Sequence, residues 1–422
     1  MSHHASIKNP DPQLLNIAKH NLQFDPDTFA RAQAQFIADY PSYGDGSAVR
    51  DLRAKEYNRL DELGHIYLDY TGGGLYANSQ LDQHMEMLKR GVYGNPHSAN
   101  PTSIASTNLD ESARAFVLEF FNADPEEYCV IFTSNASGAL RLVGEAYPFE
   151  RDGQYLLTFD NHNSVNGIRE YARQGGASVT YAPVLPPDLR LDEEELVKYL
   201  DQAIPGGNNL FAFPAQSNFS GVQHSLEWID IAHEKGWDVL VDCAAFAPTN
   251  RLDLSVFKPD YIPLSFYKIF GYPTGVGALI AKYSALKKLH RPWFAGGTIT
   301  VASVQGSKHF LAEGSAAFED GTIDYLNLPA IEFGLRHIQK VGIETIHNRV
   351  MALTHYLLDE LTQLYHDNGN PLLRFYGPVD IDNRGGTISL NFFGPDDVAF
   401  DYQDVETLAN SFKISIRTGC FC

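Results

Sequence analysis

The amino-acid sequence predicts an α/β protein: a large, mostly parallel sheet covered by helices, followed by a smaller α+β lobe. Two observations predict it. From Tyr67 onward, short apolar runs of strand length alternate with segments of helical pattern, as expected of strand–helix–strand units whose sheet is buried on both faces. After roughly Trp293 the alternation gives way to one long helical stretch and two further strand-like runs. With 422 residues, the chain is long enough for a large lobe and a small one; 44% hydrophobic and 20% charged residues place it among globular rather than disordered proteins.

Taken in order, residues 1–60 read as an irregular N-terminal arm with helical pieces, among them DPDTFARAQAQFIADY. Residues 61–300 form the large lobe. There YCVIFTS is followed by SGALRLVGEAY, QYLLTFD by SVNGIREYARQGG, ASVTYAPV by DEEELVKYLDQ, and NNLFAFPAQ by SLEWIDIAHEKG; WDVLVDCAAF, DYIPLSFYK and TGVGALIAKY complete the strand set. Residues 301–422 form the small C-terminal lobe, with one long helical stretch from Leu328 to Tyr365 and the strand-like LLRFYGP and TISLNFF. No internal repeat or low-complexity tract interrupts the pattern.

Formal net charge is −20 and the pI is near 5.1, a field that repels a nucleic-acid backbone, and no Lys/Arg run offsets it. No apolar stretch reaches the length of a membrane span, and the start, MSHHASIKNPDPQLL, lacks a cationic segment followed by an apolar core. Four cysteines are too few for a disulfide scaffold. Cys129 and Cys243 lie in apolar runs and read as buried thiols. A reducing, cytoplasmic setting is the expectation.

In parallel sheets, ligands gather beyond the carboxyl ends of the strands, so the polar residues there carry the functional reading. YCVIFTS ends in Thr133-Ser134-Asn135-Ala136-Ser137-Gly138, where free N–H groups at a helix start form either an ordinary cap or an anion site. The next end carries Asp160-Asn161-His162, in which His162 is either a satisfied loop histidine or a ring stacked on a flat ligand. Gln216-Ser217-Asn218 is an amide-rich patch suited to orienting a polar ring substituent. Asp242 follows Val239-Leu240-Val241, so its carboxylate needs a cap, a turn or a cation to offset burial. Lys268 stands in LSFYKIFGYPTG among apolar residues, where it either snorkels to the surface or keeps a lowered pKa. An anion cradle, a stacking ring, a carboxylate and a half-buried amine on successive strand ends together fit one ligand, pyridoxal phosphate (PLP). The amine attaches to its aldehyde, the carboxylate keeps its ring nitrogen protonated, and the cradle takes its phosphate. At about 3 Å and an effective dielectric of about 20, the carboxylate–pyridinium attraction is roughly 5 kcal/mol before desolvation.

With these residues in place, residues 65–422 resemble the class V aminotransferase/cysteine desulfurase family of fold-type I PLP enzymes, and within it the desulfurase-like domain of molybdenum cofactor sulfurases. The resemblance rests on YLDYTGGGLY, VYGNPHSANPTS, FTSNASGALRLVGEAYPF, SFYKIFGYPTGVGAL, FAGGT, FEDGTIDYLNL and RTGCFC. It implies that Lys268 is the cofactor-attaching lysine, Asp242 the pyridine partner and His162 the stacking ring. Ala136, Ser137 and Ser265 would be phosphate ligands, and Thr298 of FAGGT a phosphate contact donated by the second subunit of a homodimer. Asn218 would hold the substrate carboxylate, Arg417 would belong to the sulfur-accepting loop and the substrate site, and Cys422 would accept the sulfur, with Cys420 beside it. No metal site is implied. Two positions depart from the family: Ala245 stands where many desulfurases have a glutamine that contacts the cofactor's 3-oxygen, and Tyr267 where a histidine is common. The chain also stops where the family continues, so the small lobe is expected to be incomplete.

The implied activity is removal of sulfur from L-cysteine as a Cys422 persulfide with release of alanine, the sulfur passing to an acceptor protein or cofactor. Two other readings stand beside it: a class V aminotransferase, racemase or C–S lyase with no protein persulfide, and a cofactor-free dimeric scaffold.

Overall fold

A computed structural model describes residues 26–44, 47–96 and 98–419. Among them, seven strands form the main sheet: β1 (Tyr128–Thr133), β2 (Gln154–Thr158), β3 (Ser178–Ala182), β4 (Asn209–Pro214), β5 (Asp238–Asp242), β6 (Tyr261–Ser265) and β7 (Gly277–Lys282). Their spatial order is β1-β7-β6-β5-β4-β2-β3. β7 runs antiparallel to both its neighbours, and the pairs from β6 through β5 and β4 to β2 and β3 are parallel. The carboxyl ends of six strands therefore share one edge, which β7 joins at its start, where Gly277 is in register with Thr133 and Ser265.

Strand residues alternate between two cores, as the two-residue period requires. Val130, Phe132, Phe211, Phe213, Val239 and Val241 face one cluster, whereas Ile131, Tyr155, Leu157, Leu210, Ala212 and Leu240 face the other. Helix α1 (Pro26–Asp39) lies outside the sheet layers, its Phe36 ring edge-on to Tyr356. Helices α2 (Asn78–Arg90) and α3 (Pro101–Phe120) precede the sheet, and α3 contributes Ala113, Phe116 and Val117 to the first core. Helix α4 (Ala136–Ala146) follows β1 and gives Leu140 and Val143 to the second. Apolar cover on both faces explains why the strands read as continuous hydrophobic runs.

Two expectations need correction. DYIPLSFYK does not extend as a strand to Lys268: β6 ends at Ser265 and the chain turns into the five-residue helix α5 (Phe266–Phe270). The Ser265 hydroxyl, committed to the backbone N–H of Ala136 at 3.0 Å, fixes where that turn begins. The long helical stretch from Leu328 to Tyr365 is likewise two helices, α6 (Pro329–Val341) and α7 (Ile343–Thr362), broken at Gly342 with φ 89° and ψ 121°. A side chain there would be strained, so glycine and the break go together. Ile331 and Leu335 of α6 reach the first core, while α7 stays at its margin.

At the far end of the chain, Ile414–Ser415 pairs in parallel with Ile66–Tyr67. This short bridge brings the last described residues to the strand-end edge of the large sheet. Cys420 and Cys422 lie outside the described residues. Cys129 and Cys243 are buried free thiols, as their apolar runs suggested. No described helix is long and apolar enough to cross a membrane.

Candidate active site

The carboxyl edge of the sheet opens into a cleft of about 210 Å³ whose lining includes Asn135, Ala136, Ser137, His162, Gln216, Asn218, Asp242, Ala245, Ser265, Tyr267, Lys268 and Arg417. Each strand end supplies one part. After β1, Asn135 caps α4 by accepting a hydrogen bond from Gly138 N–H at 2.9 Å, and the first turn of this eleven-residue helix presents Ala136 and Ser137. A helix start of this kind favours an anion through its dipole, although here Ala136 N–H already donates to the Ser265 hydroxyl at 3.0 Å and Gly138 N–H to Asn135. The Ser137 hydroxyl is 2.6 Å from that of Ser164, which ties the helix start to the loop after β2.

That loop carries His162. Its Nδ1 accepts a hydrogen bond from Ser164 N–H at 3.1 Å, so the neutral ring carries its proton on Nε2. Behind it, Asp160 is buried against His224 at 2.8 Å and accepts from the Thr158 hydroxyl at 2.8 Å. Burial opposes ionisation of Asp160, but His224 and these hydrogen bonds prevail and hold its carboxyl below the usual range.

Asp242, at the end of β5, is 7% exposed. Its Oδ1 accepts from Ala244 N–H at 2.9 Å, and among the described residues Oδ2 has no donor. This leaves one oxygen of a largely buried carboxylate, open to the cleft, for a cation there. Lys268, half-buried on α5, forms no hydrogen bond or ion pair among the described residues. Burial pushes its ammonium below the ordinary lysine range, the positive charge of Arg417 adds to the shift, and Asp242 opposes it. Such an amine is closer to the neutral form that attacks an aldehyde.

The structure thus brings nearly all the described site candidates to one cleft: Lys268, Asp242, His162, Ala136, Ser137, Ser265, Asn218 and Arg417. Thr298 is not among its lining. It is 1% exposed, and its hydroxyl accepts from Ala295 N–H at 2.9 Å and donates to Ala295 O at 2.8 Å within its own loop. Among the polar groups and turn residues of the lining, Thr71 and Gly72 carried no role in the sequence reading, and Gln216 carried one only as part of the amide-rich patch. Gln216 is 5% exposed. Its Oε1 accepts from Gln223 at 3.0 Å and from Asn250 at 3.4 Å, so its NH₂ end is the one left for the cleft beside the small Ala245. Thr71 and Gly72 come from the YLDYTGGG turn, more than 190 residues from Lys268 in sequence. No local pattern marks them, because only the pairing of the chain's two distant segments places that turn at the sheet edge.

An amine, a buried carboxylate, an imidazole and a helix start form a donor set that matches an aldehyde, a ring nitrogen, a flat ring and a phosphate on one ligand. Against this geometry, the profile of the aminotransferase class-V family matches residues 66–422. The chain belongs to that family. Among curated relatives, the molybdenum cofactor sulfurase of tomato (Solanum lycopersicum) is 36% identical over 422 residues, covering 92% of this chain and 51% of the relative. That of rice (Oryza sativa subsp. japonica) is 38% identical over 429 residues, with 92% and 51% covered. The chain therefore spans about half the length of these relatives. Among solved structures, the apo cysteine desulfurase of Thermococcus onnurineus superposes with a TM-score of 0.73 at 25% identity, covering 88% of this chain and 87% of that one. The cystine C–S lyase C-DES, solved with its product cysteine persulfide, superposes at 0.69 with 20% identity over 83% of this chain and 89% of its own. The latter likeness is one of fold. In this class-V family member, the shared fold places the strand-end residues around the cleft.

Proposed function

We propose that the chain is a PLP-dependent cysteine desulfurase of the molybdenum cofactor sulfurase type, which removes sulfur from L-cysteine and releases alanine. The observation that carries this is the convergence of a half-buried Lys268 and a buried Asp242 on the cleft that the α4 start and His162 also face. The residues fit the cofactor: Lys268 would attach it, Asp242 would pair with its ring nitrogen, His162 would stack on its ring, and Ala136, Ser137 and Ser265 would hold its phosphate. The NH₂ end of Gln216 would supply the ring-oxygen donor that Ala245 lacks. Bound there, PLP supplies an electron sink for the pair left on the substrate Cα.

The chain's own residues do the rest. Asn218 and Arg417 orient the substrate carboxylate. Lys268 Nζ takes the Cα proton and returns a proton to the substrate carbon skeleton. The Cys422 thiolate attacks the substrate sulfur; the new S–S bond forms as the Cβ–S bond breaks, and its electron pair stays with the carbon. Protonation of that carbon completes alanine, and the enzyme keeps one persulfide sulfur per turnover for an acceptor.

The active form in this reading is a homodimer whose second copy would bring the FAGGT loop to the phosphate, with Thr298 released from its Ala295 hydrogen bonds in the dimer. Its support is that Thr298 lies outside its own cleft, beside a hairpin (Ile299–Ala302 with His309–Leu311) on which Val301 and Phe310 are exposed. Free thiols at Cys129 and Cys243 support a cytoplasmic setting. In the same reading residues 61–300 are the cofactor lobe and 301–422 the lobe that delivers Arg417.

The test is direct. Protein loaded with PLP is incubated with L-cysteine, alanine is quantified, and Cys422 is examined for a persulfide by mass spectrometry. Alanine together with a Cys422 adduct is the expected result. Alanine without that adduct would leave a class V enzyme that works without a protein persulfide, and the absence of cofactor binding would leave a scaffold.

A further inference from the structure

We infer that Asp69 is a positioning residue that holds one edge of the Arg417 guanidinium so that its other edge receives the α-carboxylate of the amino-acid substrate. The inference rests on reading the cleft as an amino-acid site. Arg417 donates from Nε to Asp69 Oδ1 at 2.8 Å and from Nη2 to Oδ2 at 3.0 Å, a two-point pairing that occupies one fork of the guanidinium. Among the described residues Nη1 has no partner, and Arg417 lines the cleft with Lys268 and Asn218 whereas Asp69 does not. The free fork thus belongs to a cation already held in the cleft wall.

The turn that carries Asp69 is built for this pairing. Gly72 N–H donates to Asp69 O at 3.0 Å, and the Tyr67 hydroxyl donates to Asp69 O at 3.0 Å and to Gly73 O at 2.8 Å. A Cβ on Gly72 would collide with both Arg417 Nη2 and the Asp69 carboxylate, so only glycine leaves the pair its space. The same turn reaches the lysine: Gly74 N–H donates to Tyr267 O, one residue before Lys268, at 3.0 Å. One turn therefore sets the distance between the Lys268 amine and the cation that meets the substrate carboxylate. The side chains of Arg417 and Asp69 are 45% and 22% exposed; a pair this open adds little to stability, which leaves orientation as its contribution. It also anchors the base of the segment to Cys422, whose five residues can span up to about 17 Å.

The test uses PLP-loaded protein and two amines, L-alanine and ethylamine, the second lacking the carboxylate; binding is read from the change in cofactor absorbance. Asp69→Asn is expected to weaken L-alanine by about tenfold or more, as small misplacements of an orienting group do, and to leave ethylamine within about twofold. Asp69→Glu, which keeps the charge, is expected to recover part of the loss. Equal weakening of both amines would mean that Asp69 only supports the fold, and tighter L-alanine would mean that it competes for Arg417; either overturns the proposal. If Asp69→Asn does not retain cofactor, Arg417→Gln decides: undiminished preference for L-alanine over ethylamine would also overturn it. Neither titration involves sulfur or Cys422, so a failure of the desulfurase reading would appear separately, as no persulfide with these affinities unchanged.

Discussion

The Lys268 and Arg417 corners of the cleft are built in opposite ways. Lys268 follows a central strand, with Ser265 and Asp242, 3% and 7% exposed, beside it. Next to that strand edge, the buried Glu319 of the FEDGT motif accepts from Phe132 N–H at 2.8 Å and pairs with Arg114 at 2.9 Å, bracing β1 just before the anion cradle. Arg417 hangs from a two-residue parallel bridge and a partly exposed ion pair, with Thr418 bonded to Glu406 at 2.8 Å as its next tether. The difference follows from the proposed work. Groups that hold a cofactor gain from a rigid, water-excluded frame, whereas a residue that carries sulfur away must sit on a segment that opens at low cost.

Substitutions at the two corners should separate sharply. Lys268→Ala, at the rigid corner, is expected to lower alanine formation at least about 10³-fold and to abolish covalent attachment of PLP, seen as loss of the cofactor mass on the denatured protein. Retention of that mass would place the attachment elsewhere and break the contrast. Glu319→Ala is expected to lower unfolding stability by about 3 kcal/mol in denaturant titrations, because it strands Arg114, whose side chain is 12% exposed. A loss below about 1 kcal/mol would show that the frame does not depend on this brace.

The cofactor-free protein offers a pH test of the same corner. Folding lowers the Lys268 pKa below 10.5, so the unfolded chain binds more protons between the folded value and 10.5, and this residue's contribution to stability rises with pH through that window. Lys268→Met is therefore expected to be more stable than the parent at neutral pH, with the gap closing toward pH 10.5; a gap independent of pH would remove the desolvation account. At the loose corner the effect should be smallest: Thr418→Ala is expected to change stability by less than about 0.5 kcal/mol while speeding amide exchange in residues 414–419. Loss of stability comparable to Glu319→Ala would erase the distinction between the corners.

Much of the fold was legible locally, because strands buried on both faces show as unbroken apolar runs and their order dictates a parallel sheet. The break at Gly342 had a signal too, a glycine directly after a helical run that ends in Lys340 and Val341, but the apolar spacing continues across it and hides it. The strand-end rule singled out Asp242, His162 and Asn218, since a polar residue after an apolar run stands out. Gln216 was visible only as part of a patch; which of its amide ends faces the cleft depends on Gln223 and Asn250. Asp69 had no signal of its own, because its partner is 348 residues away.

By itself the sequence determined the alternation of strands and helices, the polar residue at each strand end and the apolar setting that lowers the lysine's proton affinity, since all of these follow from neighbours along the chain. Only the tertiary structure decided that β7 enters between β1 and β6, that Thr298 stays out of its own cleft, and that Asp69 takes hold of Arg417. Those outcomes depend on which distant segments lie side by side, and hydrophobic spacing carries no record of that.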